Sequence, residues 1–216
     1  MLGKDPPIHT KKLVKGIFTD YEQAADFLKQ RLSSSRSKVR ESVFDAELID
    51  ALTSDLDTEV LTFLRDGLKV KTEEGNEITD FDGFIPETQI WIEVTSTSKG
   101  VDEHFFDKLG RLMFCKNQPI ILQTHEFDPE KLEPKPCERQ VTLTSLRLFY
   151  VSLYPIRVKI NDKQLSFKGF SFLDDSSPQK IRNFIASEQF LEKLYQRFCQ
   201  IKSELTGFVK ACGKET

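Results

Sequence analysis

Residues 81–95, FDGFIPETQIWIEVT, constrain the fold more than any other stretch of the chain. Two β-prone runs meet at Pro86-Glu87-Thr88, a triplet that turns the chain, so the pattern predicts antiparallel strands over 78–85 and 89–95. Asp82 opens this hairpin and Glu93 closes it, beside Ile90, Trp91, Ile92 and Val94, which demand burial. A tight turn near Glu87 and Thr88 sets the two carboxylates roughly opposite each other, within cross-strand reach. Carboxylates that close raise each other's pKa unless a cation lies between them. The candidate users of the charge are a surface turn, a salt bridge or a hard, oxygen-seeking ion such as Mg²⁺ or Mn²⁺.

Elements on either side extend the pattern. Residues 20–32 read as an amphipathic helix behind Asp20, and SSSRSK at 33–38 breaks it. Helical periodicity resumes from Lys38 to about Arg65, with a second start at Asp57 and a stop at Gly67. Leu68 to Lys71 is a weak strand, and Glu74-Gly75-Asn76 a turn. Val101 to Phe114 reads as a helix, and PIILQT at 119–124 as a short strand of the buried kind. The Pro- and Glu-rich stretch 126–138 reads as an exposed connection, 141–172 as short strands, and 178–210 as mostly helix. The predicted class is mixed α/β (α+β), a central mixed sheet flanked by helices in a single domain over 1–216.

A chain of 216 residues with 38% hydrophobic and 30% charged residues can bury a substantial core, and its 18 Phe make that core aromatic. The four cysteines, Cys115, Cys137, Cys199 and Cys212, form no C-x-x-C pair, which points to a reducing compartment and away from zinc. No stretch approaches the length of a membrane span, and MLGKDPPIHT has no signal-peptide core. A net charge of −3 argues against a freestanding nucleic-acid binder. The basic clusters Lys11, Lys12, Lys15 and Arg36, Lys38, Arg40 read as solvated surface.

D-x(10)-E is a common spacing by itself. Its placement sets this one apart, within a helix, hairpin, helix, strand order and at the end of a buried strand. A third carboxylate from the preceding helix would complete a site for one or two ions. Asp50, in ELIDAL, is best placed, with Glu47 one turn earlier on the same face. Lys108 borders the apolar stripe Val101, Phe105, Leu109, Leu112 and Met113, with His104 and Arg111 just outside it. From that border a long amine can reach past the apolar surface into a cleft. Strand-borne carboxylates, metal and lysine together suit phosphodiester hydrolysis, in which the ions bind the phosphate and activate water, and the lysine stabilises developing charge.

These residues resemble the PD-(D/E)xK nuclease superfamily. Thr95 stands where its E-x-K lysine would fall, and a lysine moved to the following helix resembles the cap-snatching endonucleases of segmented negative-strand RNA virus polymerases. "FDGF" resembles the arenavirus L-protein "PDGY", with Phe81 in place of proline; "IEVTSTS" resembles its glutamate and Ser-Thr loop, and "ELIDAL" its "LIEGL". The interval from Asp82 through Glu93 to Lys108 is similar to that of the influenza PA endonuclease domain. The resemblance covers about residues 38–125. It implies a PD-(D/E)xK-like core, with Asp50, Asp82 and Glu93 as Mn²⁺ or Mg²⁺ ligands and Lys108 as the catalytic lysine. Arg111 falls at a further basic position, and an ungapped alignment places His104 nearest the lysine as a substrate contact.

The resemblance also implies partners and a setting. They are single-stranded capped RNA, the remainder of a viral polymerase of which this chain would be an N-terminal piece, no membrane, a monomeric domain, and the host cytoplasm and virion. The alternatives are a DNA-directed nuclease of the same superfamily and a metal-free domain that only docks partners within a polymerase. Residues 126–216 carry no assignable chemistry, though Arg157, Lys159 and Lys168 are candidate RNA contacts.

Overall fold

The computed structural model describes residues 48–62, 68–95, 103–128, 133–156, 160 and 163–214. The expected helix at 20–32, the stop at Gly67, the loop at 96–100, Arg157 and Lys159 lie outside these residues. The described chain is mixed α/β, with two sheets and helices at 48–53 (α1), Glu103–Phe114 (α2), Pro178–Ile185 (α3) and Phe190–Cys212 (α4).

The larger sheet has five strands in the order β1 (Leu61–Thr62), β4 (Gly83–Ile85), β5 (Ile90–Thr95), β8 (Leu146–Ser152), β9 (Leu165–Ser171). It is a mixed sheet: β4 is antiparallel to both β1 and β5, whereas β8 runs parallel to β5 and β9 to β8. β5 is buried on both faces, as expected for a strand with a parallel neighbour and layers above and below. Ile90, Ile92 and Val94 join one core with Leu48, Ile49 and Leu52 of α1 and the inward side of α4. That side of α4, Leu194, Phe198, Ile201, Leu205, Phe208 and Cys212, recurs every three or four residues, the spacing of one helical face. Trp91 faces the opposite core, with Phe84, Leu148, Tyr150 and the buried residues Phe105, Leu109 and Leu112 of α2.

The second sheet closes that opposite core. Its order is β3 (Glu77–Phe81), β2 (Leu68–Lys71), β6 (Pro119–Asp128), β7 (Glu133–Thr142), antiparallel throughout. The predicted turn after β2 is present: Gly75 has φ 86°, a conformation that costs a glycine little, and its N–H bonds Thr72 O. Leu68 and Val70 of β2, with Ile120 and Leu122 of β6, point into the aromatic core.

Four local expectations are corrected. The helix predicted through Arg65 does not extend across Leu61–Thr62, which is a strand: Leu61 and Thr62 pair with Phe84 and Gly83. Val60 packs on one core and Leu61 on the other, an alternation no helix face allows. The single strand predicted over 78–85 breaks at Asp82, leaving β3 and β4 in different sheets. PIILQT is a buried strand as expected but not a short one: it opens the ten-residue β6, antiparallel to both its neighbours in the second sheet. The Pro-rich stretch expected as a connection contributes to the hairpin β6–β7. Among the described residues β7 is the outermost strand of its sheet, a position where Pro134 and Pro136, which have no N–H to donate, are tolerated.

One side chain ties the β4–β5 turn to the start of β8. Gln89 adopts φ 53°, and its Oε1 accepts the backbone N–H groups of Thr144 at 2.8 Å and Ser145 at 3.1 Å. Gln89→Ala removes the acceptor from both while keeping the strained backbone. Both donors are open to water at least in part, so a loss of about 0.5–1.5 kcal/mol is expected, seen as a melting temperature lower by roughly 2–4 °C per kcal/mol. Unchanged melting would show that water replaces the amide at no cost.

Candidate functional site

The chain crosses from the second sheet into the first at Asp82. The last paired residues of β4 and β5 are Gly83 and Ile92, so Asp82 and Glu93 occupy the next opposing positions. There β3 diverges, and a carboxylate continues the ladder: Val94 N–H donates to Asp82 Oδ2 at 2.7 Å. Burial of Trp91 against Phe81 and Phe84, ring centroids 5.0 and 4.4 Å away, fixes the strand that aims Glu93. Glu93 is 9% exposed, on the same side of β5 as Trp91.

Lys108 meets it from α2. The residue is 8% exposed, and its Nζ donates to Glu93 Oε1 at 2.8 Å. The ammonium also lies 3.5 Å from Asp80 Oδ1 and 5.3 Å from the centre of the Phe81 ring, a cation–π distance. Phe105, Leu109 and Leu112 seat the helix on the aromatic core, which carries the amine of Lys108 past apolar surface to the carboxylates.

Electrostatics at this point are unbalanced. Burial, then the charge of Asp82, push the Glu93 carboxyl up to about 8, against the opposing pull of Lys108. Burial works to lower the Lys108 amine, but Glu93, Asp80 and Asp82 outweigh it and hold its pKa above the ordinary value. Glu93 Oε2 is buried and makes no hydrogen bond among the described residues. A buried acceptor without a donor is costly, and a carboxylate in that state is a ready ligand for a hard cation.

The sequence-predicted residues are therefore only partly gathered. Asp82, Glu93 and Lys108 come together. Asp50 is half-buried on α1, and its neighbour Ile49 lies against Gly83: a Cβ there would come 3.6 Å from Ile49 Cγ2. Yet among the described residues no group of three His, Cys, Asp or Glu side chains is close enough to share a metal ion. His104 is exposed one turn before Lys108. Arg111 is exposed too, bonded to Asp107 at 2.7 Å and to Ile78 O at 3.3 Å. Lys168, on β9, pairs with Glu204 of α4 at 3.3 Å. Sequence reasoning missed Asp80. The signal was present in TDFDGF, where the D-x-D spacing places two carboxylates on one side of a strand.

Glu93 makes stability depend on pH. Its folded pKa, about 8, lies above the ordinary value of 4.5, so the protonated form favours folding and stability is lost as pH rises from 4.5 through 8. Glu93→Gln cannot ionise. Its melting temperature should gain on wild type steadily between pH 5 and about 9, and run parallel to it below pH 4.5. Parallel curves over the whole range would mean Glu93 ionises normally beside Lys108. Asp80→Asn tests the outer carboxylate: half-exposed, it should cost about 0–1 kcal/mol of stability.

No protein-family model, curated protein or solved structure matches this chain.

Proposed function

We propose that this chain is a divalent-cation-dependent nuclease of the PD-(D/E)xK kind that cleaves single-stranded RNA. The observation that carries the proposal is the convergence of Lys108 on Glu93 beside Asp82, with the buried Glu93 Oε2 lacking a donor. Two acidic side chains of opposing strands, one with an open lone pair in a buried position, fit a hard ion better than a soft one. Asp82 and Glu93 would hold it, with Asp50 as the third ligand that the sequence nominates. A bound Mn²⁺ or Mg²⁺ supplies charge neutralisation at the scissile phosphate and a more acidic water.

The chain's own residues supply the rest. Asp82 is positioned by the Val94 N–H, and Glu93 by the strand that Trp91 anchors, without the help of an ion. Lys108 places a permanent positive charge beside them, where negative charge grows as a phosphodiester is attacked. His104 and Arg111 flank Lys108 along the outer surface of α2, within reach of a phosphate backbone. On the motif resemblance alone, the RNA is capped, the setting is the host cytoplasm and virion, and the remainder of a viral polymerase delivers the substrate. A DNA-directed nuclease would differ only in the strand it accepts. Among the described residues no helix is long and apolar enough to cross a membrane.

One observation favours a second reading, a metal-free domain that docks partners. Lys108 already neutralises Glu93 at 2.8 Å, so the pair can persist as a buried salt bridge with no ion.

A thermal melt with and without millimolar Mn²⁺ decides between them. A ligand that binds only the folded state raises the melting temperature by mass action. Wild type should shift upward and Glu93→Ala should not; no shift in wild type makes the docking reading lead. Given a shift, wild type should cut single-stranded RNA in preference to duplex DNA, and Lys108→Ala should lose at least about a hundredfold in rate while keeping the Mn²⁺ shift. Normal cleavage by Lys108→Ala removes this lysine from the chemistry.

A further inference from the structure

The seam between β3 and α2 continues beyond the carboxylates. Asp80 meets Lys108 at 3.5 Å, and at the next level Ile78 O accepts from Arg111 Nη1 at 3.3 Å. One helical turn further, the seam opens into a cleft of about 460 Å³ beneath the β2–β3 turn, its walls including Ile78, Arg111, Phe114, Gln118, Glu73 and Glu74. That volume falls within the range of small-ligand sites. Successive residues Lys108, Arg111 and Phe114 advance by about 4.5 Å along the helix axis, and Ile78 lies about 6.6 Å from Asp80 along the strand. These steps match the scale of a single-stranded chain, whose stacked nucleotides rise about 3.4 Å and more when extended.

The cleft carries an unusual wall. Phe114, the last residue of α2, is 88% exposed, while Phe105, Leu109 and Leu112 of the same helix are buried. A bare aromatic face beside a guanidinium suits a nucleobase and its phosphate. Arg111 gives up little to engage one, because its pairing with Asp107 is a solvent-exposed contact one helical turn apart. Glu73 and Glu74 close the other side with carboxylates. They repel a phosphate and accept N–H groups, so a bound nucleotide is oriented with its base edge towards them and its phosphate towards Arg111.

We propose that this cleft is a nucleotide subsite for the single-stranded RNA, holding the second base from the scissile phosphate: Phe114 stacks it and Arg111 binds the phosphate between it and the first. The assignment of the scissile position rests on the nuclease reading above; the binding of RNA in the cleft does not.

The test uses a fluorescently labelled twelve-nucleotide single-stranded RNA and fluorescence anisotropy, in the Lys108→Ala background so that no cleavage intervenes. Phe114→Ala, a change at an exposed ring, should weaken binding about tenfold, the scale of one lost base stack. Phe114→Tyr should restore it, and the Mn²⁺-induced melting shift should be the same in all three. Equal affinity with and without the Phe114 ring overturns the subsite, even if Arg111→Ala weakens binding, since that pattern is phosphate contact alone. RNA binding that depends on Phe114 without any Mn²⁺ shift in wild type upholds the subsite and removes the nuclease. Mn²⁺-dependent cleavage that ignores Phe114→Ala removes the subsite and leaves the nuclease.

Discussion

The hydrogen bond from Val94 N–H to Asp82 Oδ2, 2.7 Å long, fixes the point at which the chain passes from one sheet to the other. A strand that leaves one sheet for another abandons its partner's backbone groups, and buried groups of that kind must be satisfied somehow. Asp82 does so with a side chain in place of a carbonyl. The consequence is a fixed corner: Phe81 on one side and Phe84 on the other both close on Trp91, and the aromatic core fills the angle between the sheets. α2 then covers that core, and Lys108 can reach only one place. The acidic corner precedes the lysine in the logic of the fold, and the lysine answers it.

Such a corner is expensive, because Glu93 loses its water and faces a like charge from Asp82. A structure seeking stability alone would place a glutamine or a valine there. Lys108 returns part of the loss through its 2.8 Å contact, whereas Asp80, 3.5 Å from the same amine, adds a further like charge, and Glu93 Oε2 has no donor among the described residues. Residual frustration of this sort in an otherwise well-packed region is a feature of sites that bind or react.

The strands around the site were legible because their signals are short-range. Pro86-Glu87-Thr88 favours a turn by its own backbone chemistry, and Ile90, Trp91 and Ile92 have no solvent face to choose. With the hairpin placed, the opposition of Asp82 and Glu93 follows from counting, and the buried stripe of α2 puts Lys108 at its edge. What local pattern could not carry was partner choice. Leu61 and Thr62 look helical until Gly83 and Phe84 offer an edge to pair with. Nothing in PIILQT says whether it lies beside β5 or in another sheet, and the break at Asp82 that decides this is a tertiary event. Pro134 and Pro136 argued against a strand because propensity does not know which strands are outermost. Asp80 was overlooked for a related reason: its value depends on an amine arriving from α2, 28 positions later.

The placement of those two prolines has a consequence for solubility. An open antiparallel edge offers unpaired N–H and C=O groups to any strand that drifts past, and a second copy of the same chain is the nearest candidate. Along the first part of β7, Pro134 and Pro136 offer no N–H to such a visitor. Along the second, Arg139 and Gln140 are engaged with Glu59 at 2.6 Å and Glu73 at 2.7 Å, so an incoming strand would meet charged side chains already tied down. At the β7 end of this sheet, addition of a further strand is thereby disfavoured.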